Sequence, residues 1–241
     1  MPYRRLPNTD AARLKALRKA FEKGKEIPPF KLAFSQHTFQ RVQSFLPSYE
    51  KAMYETKQAY SNQVQRNKDY QKTLKKAKLY ISHFIQVINM SIARGDLPNN
   101  ERALFGMKEE MNKLPLLSSE SEVIKWGEKL IHGEILRKSK GLSPITNPTI
   151  ALVMVQYEQF LDSYKFQKTL QKNYQRAQEH IAGLRKEADD IILNVWNEVE
   201  AKFSSFSEEV KRQKAEEYGV AYVFRKNELK KLKLKETEQE K

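Results

Sequence analysis

The chain has 241 residues, enough to bury a sizeable core in one large domain or two small ones, and only 8 of them are glycine and 9 proline. With 39% hydrophobic and 31% charged residues, that scarcity of turn formers favours long helices with wide polar faces. There is no cysteine, which excludes disulfides, thiolate metal sites and cysteine nucleophiles; of the net charge of +14, +13 falls in the first 94 residues.

Residues 3–25, YRRLPNTDAARLKALRKAFEKGK, hold eight basic and two acidic residues. Asn8 or Thr9 can cap a helix here, Asp10 suits its first turn, and Gly24 is the expected stop. Leu14, Leu17 and Phe21 share one narrow face, while Lys15, Arg18, Lys19 and Lys23 lie on another. The segment therefore has a docking stripe as well as positive charge. KEIPPFK breaks the chain, so 1–34 forms a basic amphipathic helix and linker.

Residues 35–94 form a first long helical unit. A helix is expected over 35–46, and Pro47 marks a kink or the first turn of the next segment. Beyond it, Tyr49, Met53, Tyr60, Val64, Leu74, Ala77, Ile81, Phe84, Ile85, Ile88 and Ile92 recur at helical spacing, which predicts a packed face. The stretch QVQRNKDYQKTLKKAK offers little to a core, and a break near Asn67 is open.

ARGDLPNNE is a loop, and 95–148 connects through shorter helices around Glu101–Lys113 and Ser119–Arg137, with Ser118 or Ser119 as a cap and Glu122 available for a capping box. Residues 149–206 form a second long unit whose apolar positions, from Tyr157 to Phe203, keep a period near 3.5, with Gly183 as the candidate break. With a shift of 111, Ala77, Ile81, Phe84, Ile85, Ile88 and Ile92 match Ala188, Ile192, Val195, Trp196, Val199 and Phe203. With a shift of 110, Tyr54, Tyr60 and Val64 match Tyr164, Leu170 and Tyr174, so the two units read as an internal duplication. Residues 207–241 hold a short helix over 207–218, a strand signal in GVAYVFRKN, and a charged tail from Lys230. The predicted class is all-α: an elongated helical bundle of two long antiparallel units with a minor strand near its end.

Few residues suggest chemistry. A di-iron carboxylate bundle needs Glu-x-x-His pairs, and the residues three before His37, His83, His132 and His180 are Phe34, Tyr80, Lys129 and Ala177. Glu128 and His132 fit a surface pair, and the run Glu187–Asp190 fits a solvated acidic face better than a cation site. Neither a glycine-rich phosphate loop nor a nucleophile elbow occurs. The aromatic residues sit mostly at helical spacing, so core packing explains them better than stacking platforms for bases. No enzyme activity, metal or cofactor is expected.

The basic residues are the remaining signal. Arg4, Arg5, Arg13, Arg18 and Lys19 could join Lys72, Lys75, Lys76 and Lys78 in holding phosphates, if the fold brings them together. Charge reversal of Arg13, Arg18 and Lys19 is expected to weaken such binding and leave the helix intact. The leading expectation is an interaction or scaffold protein with protein partners, self or other, on its helical faces. The alternative is sequence-independent binding of nucleic acid or another polyanion through the first 94 residues.

MPYRRLPNTDAARLKALRKAFEKG, together with EEYGVAYVFRKNE, resembles an uncharacterised helical protein family of Bacteroidetes. The resemblance is strongest at these two ends and loose between them. It implies a cytosolic, all-helical bacterial protein and brings no activity, cofactor or catalytic residue. PYRRL could lie beside the strand-like VAYVF. Arg4 and Arg5 lead into a proline and a polar stretch rather than a signal-peptide core, and the longest apolar run, Ile150–Val155, is far short of the roughly 20 residues of a spanning helix. A cytoplasmic protein with no membrane partner is expected.

Overall fold

The computed structural model describes residues 3–108 and 113–224. Helix α1 (Asp10–Glu26) begins where Thr9 Oγ1 accepts the Ala12 N–H at 3.2 Å, satisfying one of the amides a helix start leaves unpaired. Gly24 does not stop it. The helix runs on to Glu26 and ends before Ile27, the residue preceding Pro28. Gly24 instead faces the Phe39 ring so closely that a β-carbon would collide with it.

A single helix, α2 (Gln36–Ala93), takes the place of the separate segments expected around Pro47. An interior proline costs about 3 kcal/mol through its lost N–H and ring clash. The neighbouring Phe45, Leu46 and Tyr49 are all buried, and that packing keeps the helix intact. It also continues through Asn67. A 3₁₀ helix (Asn99–Phe105) opens the segment predicted as Glu101–Lys113, of which 109–112 lie outside the described residues. Helix α3 (Glu120–Ser139) is capped by Ser119, whose Oγ accepts the Glu122 N–H at 3.2 Å. Helix α4 (Ile150–Lys202) passes Gly183 without a break, and α5 (Glu208–Glu217) follows.

Strand β1 (Tyr3–Arg4) pairs antiparallel with β2 (Tyr222–Val223), with Tyr3 opposite Val223 and Arg4 opposite Tyr222. The Arg5 N–H extends the pairing to the Ala221 carbonyl at 3.0 Å. The expected juxtaposition of PYRRL and VAYVF is therefore present. The predicted charged tail from Lys230 lies outside the described residues.

The chain forms two compact units, one from Met1–Ala59 with Gln175–Lys241 and the other from Tyr60–Tyr174, so α2 and α4 each contribute to both. In the first unit, Leu17 and Ala20 of α1, Val42 and Tyr49 of α2, and Val195 and Trp196 of α4 share one apolar core, closed by Ala215 and Tyr218. In the second, Ile81, Phe84 and Ile88 of α2 pack with Phe105, with Val123, Trp126 and Leu130 of α3, and with Val153 and Phe160 of α4.

Partner numbers on α4 fall as those on α2 rise, which makes the two helices antiparallel. In the first unit Thr56 Oγ1 donates to the Ala177 carbonyl at 3.2 Å. In the second the Tyr60 ring lies 5.5 Å from that of Tyr174, and the Tyr70 ring 6.4 Å from that of Phe160. Among the described residues no helix is long and apolar enough to cross a membrane.

The positions that match between the long segments have different surroundings in their two halves. Ala77, Ile81, Phe84, Ile85 and Ile88 are buried in the second core, and Ala188, Ile192, Val195, Trp196 and Val199 in the first. Upstream the expectation of a packed face fails. Tyr60 is 54% exposed and Val64 53%, because residues 60–69 contribute to neither core. Their spacing marks a continuing helix and not a buried one.

Two glycines separate the effects of space from those of helix propensity. A β-carbon at Gly133 would run into the Phe105 ring and lie 2.8 Å from the Leu104 carbonyl, whereas nothing lies within 4 Å of one at Gly183. Gly133→Ala should destabilise the protein by about 1–3 kcal/mol through overpacking. Gly183→Ala should stabilise it by about 0.5–1 kcal/mol through helix propensity. Thermal and urea denaturation of the two variants checks the opposite signs.

Candidate functional site

Most of the basic residues near the N-terminus have partners inside the first unit. Arg13 donates from Nε and Nη2 to the two carboxylate oxygens of Asp189, at 2.8 and 3.0 Å, and its side chain is only 11% exposed. In the neighbouring pair, Arg185 donates to both oxygens of Asp10 at 2.8 Å, and the Tyr49 hydroxyl donates to Asp10 at 3.0 Å. These bidentate pairs tie α1 to α4. Arg4 bonds Glu200 at 2.8 Å, Arg18 bonds Glu50 at 2.6 Å, and Lys19 Nζ donates to the Glu216 carbonyl at 3.0 Å. Among the described residues the exposed Arg5 and Lys15 side chains have no such engagement. In the acidic run Glu187–Asp190, Asp189 is thus the ion-pair partner of Arg13.

These bonds set the local electrostatics. The Arg185 guanidinium holds the Asp10 carboxyl below its ordinary value of 3.8, against an opposing effect of burial. Burial, reinforced by Asp10, pushes the Tyr49 hydroxyl well above its usual range. In the second unit burial pushes the Tyr157 hydroxyl up to about 12.

The lysines of α2 behave differently. Lys72, Lys75 and Lys76 are exposed, as is Lys68, and together they occupy i, i+4, i+7 and i+8 on one side of the helix. Tyr70, Leu74, Ala77 and Ile81, on the other side, are buried. Lys72 has a loose pair with Asp69 at 3.7 Å, while Lys78 stands apart from the strip and donates to the Ser118 carbonyl at 3.1 Å. Between Glu55 and Asp96 the chain has eight basic residues and a single acidic one, Asp69. All four strip lysines belong to the second unit, and Arg4 to Lys19 belong to the first.

A second feature of that unit was not apparent in the sequence. A cleft of about 750 Å³ is lined by Arg94, Asp96, Glu101, Arg137, Ser143 and Asn147, with several apolar side chains. Arg137, 2% exposed, forms an ion pair with Glu101 through Nη1, and its Nη2 donates to the Ser143 carbonyl at 2.8 Å. Its Nε lies 3.4 Å from Glu134, whose other carboxylate oxygen accepts the Ile145 N–H at 2.8 Å.

Burial pushes the Glu134 carboxyl up and the Arg137 guanidinium down from their ordinary values. The cluster ties the 3₁₀ helix and the segment after α3 to α3 itself. Because this guanidinium already faces two carboxylates, the cleft floor has little attraction for an anion. The only signal in the sequence is the i, i+3 spacing of Glu134 and Arg137, indistinguishable there from a surface pair. Among the described residues no group of three or more His, Asp or Glu side chains is placed to hold a metal ion.

Comparisons with known protein families, with curated proteins and with solved structures find no match.

Two predictions follow from the buried charges. Arg137→Met leaves Glu101 and Glu134 without their cation and should lower stability by about 3–5 kcal/mol. Adding Glu101→Met should recover part of it, as measured by urea denaturation. For Asp10, the lowered folded value means that its contribution is full above about 3.8 and fades as pH falls through the folded value. Asp10→Asn should therefore lower the melting temperature at pH 7, and the difference from the parent should narrow as pH falls below about 3.8.

Proposed function

We propose that the protein is a non-enzymatic interaction protein whose partner is a polyanion, nucleic acid foremost, held along the exposed lysine strip of α2. The observation that carries this reading is the contrast between two sets of cations. Arg4, Arg13, Arg18 and Lys19 are bonded within the first unit. Lys68, Lys72, Lys75 and Lys76 stand in a row with one acidic neighbour. A row of exposed lysines releases counterions when it meets phosphates, and the affinity it confers is steep in salt and indifferent to sequence. Protein partners on the helical faces are the competing reading, and a cytoplasmic setting goes with either.

The matching positions of the long segments fit duplication of a helix pair. Caps Thr9 and Ser119, 110 residues apart, support this view. So do the buried Ala16, Leu17 and Ala20 of α1, which correspond to Trp126, Gly127 and Leu130 of α3.

Gel-shift titration of the full chain with a nucleic acid at two salt concentrations tests the reading. Four phosphate contacts on a single strand would weaken affinity roughly 50-fold between about 50 and 200 mM salt. Lys72→Glu/Lys75→Glu/Lys76→Glu should remove most binding and flatten the salt dependence with no loss of helix content by circular dichroism. Arg13→Glu is a poor probe of surface charge. It sets a carboxylate against Asp189 and Asp10 and should destabilise the first unit. Absence of any binding at low salt would overturn the proposal.

A further inference from the structure

We infer that the lysine strip continues into a stacking platform and that the polyanion it selects is a single-stranded nucleic acid; this rests on the polyanion reading above. Tyr60, Val64, Lys68, Lys72, Lys75 and Leu79 succeed one another at intervals of three or four residues, which sets them in a row along one side of α2. Every member of that row is exposed, and all of it belongs to the second unit. Its first part is apolar and aromatic. The Tyr60 ring, more than half exposed, is braced by the Tyr174 ring of α4 at a centroid distance of 5.5 Å and an angle of 49°. Its next part is cationic, and nothing acidic lies in the row.

The Tyr60 face is more than half exposed and belongs to neither core. Held by a neighbouring ring, it offers a π-surface at low cost in side-chain freedom. Bases inside a duplex are already stacked on one another and cannot reach such a ring, whereas an unpaired base can. Phosphates of the same strand would then follow the helix over Lys68, Lys72 and Lys75. From Tyr60 to Lys75 is about 22 Å at ~1.5 Å per residue. At ~3.4 Å per stacked nucleotide this accommodates roughly six nucleotides. Val64 and Leu79 supply apolar contacts to sugar and base edges. The arrangement reads no base edge by hydrogen bonding, so the expected preference is for strandedness and not for sequence.

The test uses the full chain, a fluorescein-labelled oligo-dT strand, the corresponding dA·dT duplex, and heparin, followed by fluorescence anisotropy at low salt. The single strand should bind more tightly than the duplex. Tyr60→Ala should weaken the single strand by about 5- to 150-fold, the range for losing one stacked base, and leave heparin binding unchanged. Tyr60→Phe should retain single-strand binding, because the ring and not the hydroxyl does the stacking. The exposed position of Tyr60 predicts unchanged helix content in both variants, as read by circular dichroism. Equal affinity for strand and duplex, or an unaltered affinity in Tyr60→Ala, would overturn this inference while leaving the polyanion reading in place. Failure of all three ligands to bind would remove both.

Discussion

The antiparallel contact between α2 and α4 is the constraint on which the rest of the fold depends. Each helix is longer than any one core can cover, so each serves two: α2 supplies Val42 and Tyr49 to one core and Ile81 and Phe84 to the other. Helix α4 does the same in reverse order, with Phe160 in the second core and Trp196 in the first. Short elements then complete each unit. Helices α1 and α5 and the β1–β2 pair belong to the first, and the 3₁₀ helix and α3 to the second. An alteration that broke either long helix would therefore disturb two cores at once, and the one proline inside α2, Pro47, lies among the buried Phe45, Leu46 and Tyr49.

Charge is distributed by the same logic. Where α1 meets α4, guanidinium and carboxylate groups pair in bidentate geometry and are half-buried by the helices that carry them. In the second unit one guanidinium, Arg137, is fully enclosed with two carboxylates, an arrangement that costs desolvation and is held by backbone bonds to Ser143 and Ile145. Along α2, Lys68, Lys72, Lys75 and Lys76 bring positive charge to water with Asp69 as their one acidic neighbour in the sequence between Glu55 and Asp96. Net charge alone does not distinguish these situations. Position in the fold does.

Much of the fold was legible in the residues. The spacing of Ala77, Ile81, Phe84 and Ile88, and of Ala188, Ile192, Val195 and Val199, marks faces that are buried, and Ser119 and Thr9 cap as their side chains predict. The pairing of Tyr3 and Arg4 with Val223 and Tyr222 agrees with the strand signal read in GVAYVFRKN. What was not legible depended on the third dimension. Gly24 resembles a helix stop but is a close-packing position against Phe39, and Tyr60 and Val64 carry a core-like period where no core exists. Arg13 and Lys72 look equivalent as letters, yet one is bonded to Asp189 and the other faces solvent. Glu101, Glu134 and Arg137 come from a charge-balanced stretch that gave no hint of burial, since an ion pair on a surface and one in an interior have the same spacing.

The division of the chain has a consequence for biosynthesis. The second unit is one continuous segment, Tyr60–Tyr174, whereas the first unites Met1–Ala59 with Gln175–Lys241. A nascent chain leaving the ribosome can close the second unit once α4 has emerged through Tyr174. The first must wait, with the apolar faces of α1 and early α2 lacking their α4 partners, until the last residues of α4 and α5 are made. The half synthesised first is thus the half completed last, and its exposed leucines and phenylalanines are the surface a chaperone would meet during translation.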